Sequence, residues 1–375
     1  MEVKQIYSLV NDVTKEVLGE SPILNEDLSN VVDIGTAIFD NRAFDNYVRS
    51  LVDHIGKVVF VLRSYKGRAP SVLMDGWTYG SILEKISADM PEAVETEDWE
   101  LTDKVSYDPN IFHKPKVSAK FFNSRTTFEV DASITEMQVR EAFSSAGQLN
   151  SFISMIFNEI DKSMTVKTDA LVMRTINNFI GETLNDNNDA RAVNLLSMYN
   201  IEFGTKLTAD KAIKTPEFIR YASYIMGVYV DRLSTMSKLF NIEGKARFTP
   251  NDMLHFVTLS DFSRAADVYL QSDVYHNELT KIPSSETVSY WQGSGETYDF
   301  NDISAINIKT ASGATVNKTG ILAVMFDRDA LGVNCFDKRV RTNYNAKAEF
   351  TNYFYKQDAQ YFNDFSENFV VFYIA

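Results

Sequence analysis

The 375-residue chain carries 37 Lys and Arg against 51 Asp and Glu, a net charge of −14, and is 45% hydrophobic and 13% aromatic. That length can bury a large core in two or three domains, and the acidity excludes an overall basic surface that grips nucleic acid by displacing counterions. The single cysteine, Cys335, excludes an intrachain disulfide and a Cys-based zinc cluster, as suits a reducing, cytosol-like compartment.

Lys4 to Leu18 sets Ile6, Leu9, Val10, Val13 and Val17 at helical spacing, and the polar stretch through Ser21, Pro22, Asn25 and Asn30 marks a candidate N-terminal arm. Glu2, Lys4, Asp12, Lys15 and Glu16 interrupt the apolar positions, which argues against a signal peptide, and no uncharged apolar run long enough for a membrane span occurs. A second helix is predicted over Asn41 to Ile55, closed by Gly56, and a buried strand over Val58 to Leu62. From Arg63 to Phe112 regularity falls, with turns at Lys66-Gly67-Arg68, Asp75-Gly76-Trp77 and Met90-Pro91 and an acidic tract from Glu92 to Asp103. This segment reads equally as a protruding loop or as a solvated surface loop.

Lys116 to Asp131 is β-branched and aromatic, the return limb of an extended arm. Ser133 and Glu136 stand at capping-box spacing, which predicts a helix opening near Ile134 and running to Asp161, with Met137, Phe143, Leu149, Phe152, Ile153, Ile156, Phe157 and Ile160 on its apolar stripe. Periodicity alone fits a building-block spine and an ordinary core helix equally. Asn185 to Asp189 is a strong breaker and a candidate domain junction, with a short helix predicted over Ala190 to Asn200. Thr215-Pro216 opens a helix predicted to reach Phe240, Leu254 to Leu259 reads as a strand, and Asp261 caps the helix after it. Strands, helices and polar loops then alternate to Asn317, after which Ile321 to Phe326, Phe350 to Tyr355 and Phe369 to Ile374 are β-rich.

Reactive constellations are sparse. Gly293-Ser294-Gly295 begins like a dinucleotide fingerprint, but Tyr298 replaces its final glycine. Asp186, Asn188 and Ala190 begin like a calcium loop, but Arg191 replaces its essential glycine. His54, His113, His255 and His276 lack ligand spacing, and Asp327 and Asp329 around Arg328 fit a self-paired turn better than an acid–base pair. No cofactor, metal site or catalytic residue is predicted, and the chain is read as non-enzymatic.

The order of arm, helix, strand, long loop, return limb, long helix, inserted α/β region and terminal sheet resembles the major capsid proteins of tailed bacteriophages, the Johnson fold of class α+β. Val32-Asp33-Ile34-Gly35, Phe44 to Val59, Ile111-Phe112-His113, Phe152 to Ile160 and Ile321 to Leu331 are similar to segments of the small protein-primed podophages of the picovirus group. The resemblance implies an N-terminal arm (1–56), an extended E-loop (57–130), a P-domain with its spine helix (131–180), an A-domain (181–318) and a return to the P-domain sheet (319–375). It implies hexamers and pentamers in an icosahedral or prolate shell around double-stranded DNA, scaffold and portal partners, no membrane, assembly in the bacterial host cytoplasm, and residence in the virion. An extra immunoglobulin-like domain, carried by some relatives, is expected to be missing. Trp77, Tyr79 and Trp99 are the expected aromatic anchors of the loop against a neighbour, with Glu95, Glu97 and Asp98 seeking its Lys or Arg. The alternatives are an encapsulin-like cellular compartment and a soluble enzyme with a cryptic carboxylate or histidine site.

Overall fold

The computed structural model describes residues 11–15, 69–74, 83–88, 90–91, 93, 102–106, 110, 114, 116–135, 137–138, 146–271, 285–292 and 299–375. In chain order its elements are β1 (Leu83–Ala88), β2 (Val117–Phe122), β3 (Arg125–Thr135), α1 (Ala146–Asp186), β4 (Ala192–Asn194), α2 (Leu195–Phe203), α3 (Ala209–Ala212), α4 (Pro216–Leu233), β5 (Leu254–Leu259), α5 (Ser260–Gln271), β6 (Glu286–Val288), α6 (Phe300–Ile303), β7 (Ile306–Lys309), β8 (Thr315–Lys318), β9 (Ile321–Asp327), β10 (Leu331–Asn345), β11 (Phe350–Asn363) and β12 (Phe369–Tyr373). Residues 11–15 are also helical, within the arm helix expected from Lys4 to Leu18. The helix expected over Asn41 to Ile55 and the strand over Val58 to Leu62 lie outside the described residues.

The chain divides into two compact units, one drawn from Met1–Pro70, Arg125–Leu171 and Asn334–Gln360, the other from Ser71–Ser124, Val172–Val333 and Tyr361–Ala375. The first is organised by a three-stranded sheet of order β10-β11-β3. Alternation sorts its faces: Ile134, Tyr353 and Tyr355 are buried, whereas the opposite face pairs Lys356 with Glu129 (3.0 Å), Thr127 with Asp358 (2.7 Å) and Arg339 with Asp358 (2.7 Å).

The expected helix start needs correction. Ile134 belongs to β3, and Ser133 donates to Asn352 Oδ1 at 2.6 Å instead of capping. The reciprocal cap is formed two residues later: the Gln138 amide donates to Thr135 Oγ1 (3.2 Å), and the Thr135 amide donates to Gln138 Oε1 (3.0 Å). The long helix runs over the 41 residues Ala146–Asp186 rather than from Ile134 to Asp161, roughly 60 Å at 1.5 Å per residue. Asn187, at φ 49, then turns the chain in the left-handed region as the breaker predicts. Both flanks of that turn lie in the second unit.

The second unit is built on a five-stranded mixed sheet of order β4-β12-β9-β5-β6. All seven residues of β9 are buried, as its unbroken apolar run demands for an interior strand. Along α1, Val172, Met173, Ile176, Phe179, Ile180 and Leu184 are buried at three- and four-residue intervals, and Phe179 stacks on Phe369 at 4.1 Å. One helical layer of α2, α4 and α5 shares a core with Phe256, Leu322, Val370 and Phe372 of the sheet. The helix from Pro216 ends at Leu233 rather than Phe240, and α2 occupies Leu195–Phe203 rather than Ala190 to Asn200, since 192–194 join the sheet as β4. Leu254–Leu259 is the strand expected.

Candidate assembly surface

β1 and β2 form a two-stranded antiparallel ribbon whose register sets Leu83 opposite Phe122 and Lys85 opposite Lys120. The alternation is inverted relative to an ordinary surface hairpin. Leu83, Lys85, Ser87, Ser118, Lys120 and Phe122 form the partly covered face, whereas Ile86, Val117 and Phe121 stand on the open face at 66%, 61% and 62% exposure. A ribbon that turns charge inward and apolar side chains outward is suited to burial against a further surface.

The lysines enter a carboxylate socket on the same unit. The turn between β11 and β12 holds Asp364, whose Oδ1 accepts from the Ser366 amide (3.1 Å), Ser366 Oγ (2.7 Å) and Lys120 Nζ (2.7 Å) and whose Oδ2 lies 2.8 Å from Lys85 Nζ. Lys85 also reaches Glu367 Oε1 (2.7 Å) and the Asp329 carbonyl (3.3 Å), and Lys120 reaches Glu243 Oε1 at 2.5 Å. Arg247 completes the set at 3.3 Å from Glu367, so three cations face three carboxylates. Burial opposes charge on Asp364, yet hydrogen bonds from Lys120 and Lys85 outweigh it and hold the carboxyl down at about 2. Burial likewise opposes the Lys85 charge, but bonds to Asp364 and Glu367 push its ammonium above the ordinary value. At Glu367 burial dominates and the carboxyl is raised despite Lys85 and Arg247.

At the base of the ribbon Phe122 lies 5.1 Å from Phe362, ring centre to ring centre. Gly332 makes room there, because a Cβ at this position would stand 2.6 Å from Met74 Sδ and 2.7 Å from Phe362. A second exposed apolar group gathers on the helical layer, where Ile201 and Phe203 of α2 and Tyr224 of α4 are open to solvent beside the Tyr199–Phe203–Tyr221 rings. Burial, then the neighbouring Glu202, pushes the Tyr221 hydroxyl up to about 12.

The anchors expected from sequence, Trp77, Tyr79, Glu95, Glu97, Asp98 and Trp99, lie outside the described residues, as do His54, His113, His276 and Gly293 to Tyr298. Asp327 does self-pair with its turn, accepting from the Asp329 amide (2.9 Å) and from Thr249 Oγ1 (2.7 Å). His255 sits in β5 stacked on Phe326 at 5.6 Å, and Asp186 is ion-paired with Arg191. Among the described residues no cluster of three or more His, Cys, Asp or Glu is arranged to hold a metal, and no helix is long and apolar enough to cross a membrane. Sequence reasoning placed β2 within the return limb from Lys116 to Asp131 but missed its partner β1 and the socket. The local signals for these two are the alternation in Leu83–Ala88 and the polar run Asp364 to Asn368 between aromatic strands.

The architecture is that of tailed-phage capsid proteins. At 10% identity and a TM-score of 0.51 the fold matches the capsid structure of Staphylococcus phage Andhra over 84% of this chain and 86% of that one. It matches a chain in the structure of head fiber and inner core protein gp22 of native bacteriophage P68 at 9% identity and a TM-score of 0.54, again over 84% and 86%. Residues 10–373 match the model of the Phi29-like phage major capsid protein family, and the chain belongs to that family of structural, non-catalytic shell proteins. The major capsid protein of Bacillus phage B103 is 25% identical over 182 residues, which is 48% of this chain and 39% of that relative's length.

Proposed function

We propose that this protein builds the shell of a phage head by repeated contact between its own copies, as hexamers and pentamers closing around double-stranded DNA. The observation that carries the reading is the open face of the β1–β2 ribbon, where Ile86, Val117 and Phe121 stand in water although the strands are paired and anchored. Heterologous contacts of one fold with its copies close into rings and then into a curved lattice. In this reading the arm is 1–56, the E-loop 57–130, the P-domain 131–180 with 319–375, and the A-domain 181–318. Trp77, Tyr79 and Trp99 anchor the loop on a neighbour, with Glu95, Glu97 and Asp98 seeking its basic residues. The net charge of −14 suits a container that must not bind its polyanionic cargo tightly. Scaffold and portal proteins are the expected partners, and the host cytoplasm is the site of assembly.

The test is to express the full chain alone and with its genomic neighbours and to examine it by sedimentation and negative-stain imaging. Closed shells of megadalton mass are expected. Small discrete species under every condition would overturn the reading.

A further inference from the structure

The ribbon's inward face is apolar at one end alone. Its apolar members there, Leu83 and Phe122, are register partners at one end, where Phe122 meets Phe362. Further along, Ser87 and Ser118 satisfy each other at 3.0 Å across the strands. What reaches the rest of the unit between these two pairs is Lys85 and Lys120, and as directly opposed cations they repel when their counter-charges are absent.

The socket, by contrast, is built without the lysines. Ser366 holds Asp364 Oδ1 through both its amide and its hydroxyl, the Asp364 amide donates to the Ala330 carbonyl at 2.7 Å, and Arg247 already faces Glu367. When the ribbon withdraws both lysines, Glu367 keeps Arg247, the more exposed Glu243 turns to water, and Asp364 keeps its two bonds from Ser366, so the turn retains part of its compensation. The charged groups that face the cluster are Lys85 on β1, Lys120 on β2, Glu243 and Arg247 after α4, Asp327 at the end of β9, and Asp364 and Glu367 on the turn.

We propose that this turn is an electrostatic clamp: it sets the position of the β1–β2 ribbon on its own subunit and releases the ribbon as a unit when the ion pairs are broken, leaving the five-stranded sheet folded. The clamp is independent of what covers the ribbon's open face. It gives one subunit a ribbon with a held and a released position, opened by local rather than global unfolding.

The experiment is amide hydrogen exchange on the full-length chain kept below its assembly concentration, comparing wild type, Lys85→Met and the Lys85→Met/Lys120→Met pair. In the double variant the amides of 83–88 and 117–122 are expected to exchange about ten-fold faster or more, while those of β9 and β12 keep their wild-type protection. Lys85→Met, which leaves Lys120 and every bond of the turn in place, is expected to fall between. Unchanged ribbon protection in the double variant would show that the aromatic base alone holds it and would overturn the proposal. Parallel loss of protection in β9 and β12 would also overturn it, by making the cluster a staple of the whole unit. Should the double variant not fold, the single variant decides on the same two criteria.

Discussion

Phe121→Lys is the sharpest test of the open face of the ribbon. Phe121 stands opposite Glu84 in the β1–β2 register, so a lysine there gains an opposite-charge partner and the ribbon keeps its pairing. Fully burying an Ile, Val or Phe side chain stabilises by about 1.5–3 kcal/mol. With about 60–66% of Ile86, Val117 and Phe121 still in water, each retains about 1–2 kcal/mol to contribute to a contact, and the three together about 3–6 kcal/mol. Replacing the phenyl ring forfeits its share and forces an ammonium into the same apolar contact. The combined loss is about 3 kcal/mol, more than a hundred-fold in each association constant. Because the side chain is exposed in the subunit, its thermal midpoint should move by no more than about 2 °C. Assembly is followed by sedimentation velocity against protein concentration, expecting soluble subunits where wild type forms particles. Particles at the wild-type threshold would refute the assignment of this face to contact.

Gly320 has φ 80, and a Cβ there would stand 1.9 Å from the Ile374 carbonyl oxygen, so Gly320→Ala must displace the backbone of the β8–β9 connection or of Ile374 just after β12. A loss of about 3 kcal/mol or more is expected in denaturant unfolding, and a wild-type midpoint would contradict it. Phe369→Ala removes a ring stacked between Phe179 and Phe326, at an expected cost of about 3–5 kcal/mol in the same assay. Stability should also follow pH through the socket. Asp364, lowered to about 2 from 3.8, contributes stability that is present above 3.8 and lost as pH falls toward 2, on the order of 2 kcal/mol. Lys85, raised above 10.5, contributes below 10.5 and loses its contribution as pH rises further. Glu367, raised above 4.5, works in the opposite sense to Asp364, its contribution being present below 4.5 and lost as pH rises, so it softens the acid limb. Asp364→Asn should flatten the limb below 3.8 in equilibrium unfolding, and an unchanged slope there would remove Asp364 as its source.

Elements whose burial is decided locally were legible in the sequence. Leu254–Leu259, Ile321–Asp327 and Phe369–Tyr373 carry runs that only an interior strand accommodates, and Thr215-Pro216 marks a helix start by backbone chemistry alone. Boundaries failed where two nearby residue pairs offer the same chemistry. Ser133/Glu136 and Thr135/Gln138 have equal spacing and equivalent donors and acceptors, and the choice falls to the pairing of β3 with β11, which draws Ser133 and Ile134 into the sheet. The helix predicted to Phe240 fails for a related reason: Met236 and Leu239 continue its period but are exposed, and Phe240 reaches the core from the segment after the helix has ended at Leu233. The socket was invisible because its partners are remote. Lys85 and Lys120 meet carboxylates more than 240 positions away at Asp364 and Glu367, and no local pattern announces such a meeting. The apolar face of the ribbon is no easier to read, since alternation in Leu83–Ala88 identifies two faces but not which of them water sees.

The order β4-β12-β9-β5-β6 gives the two strands that close the sheet to the last part of the chain. As the polypeptide leaves the ribosome, β4, β5 and β6 emerge first, and until residues 321–327 and 369–373 follow, the first of them has no strand beside it. Contacts of such long sequence separation form slowly and together, so the subunit becomes competent in one late step. Translation cut short after β9 leaves β5, β6 and β9 able to pair while β4 has no neighbour, so only a chain that reaches β12 joins β4 to the sheet.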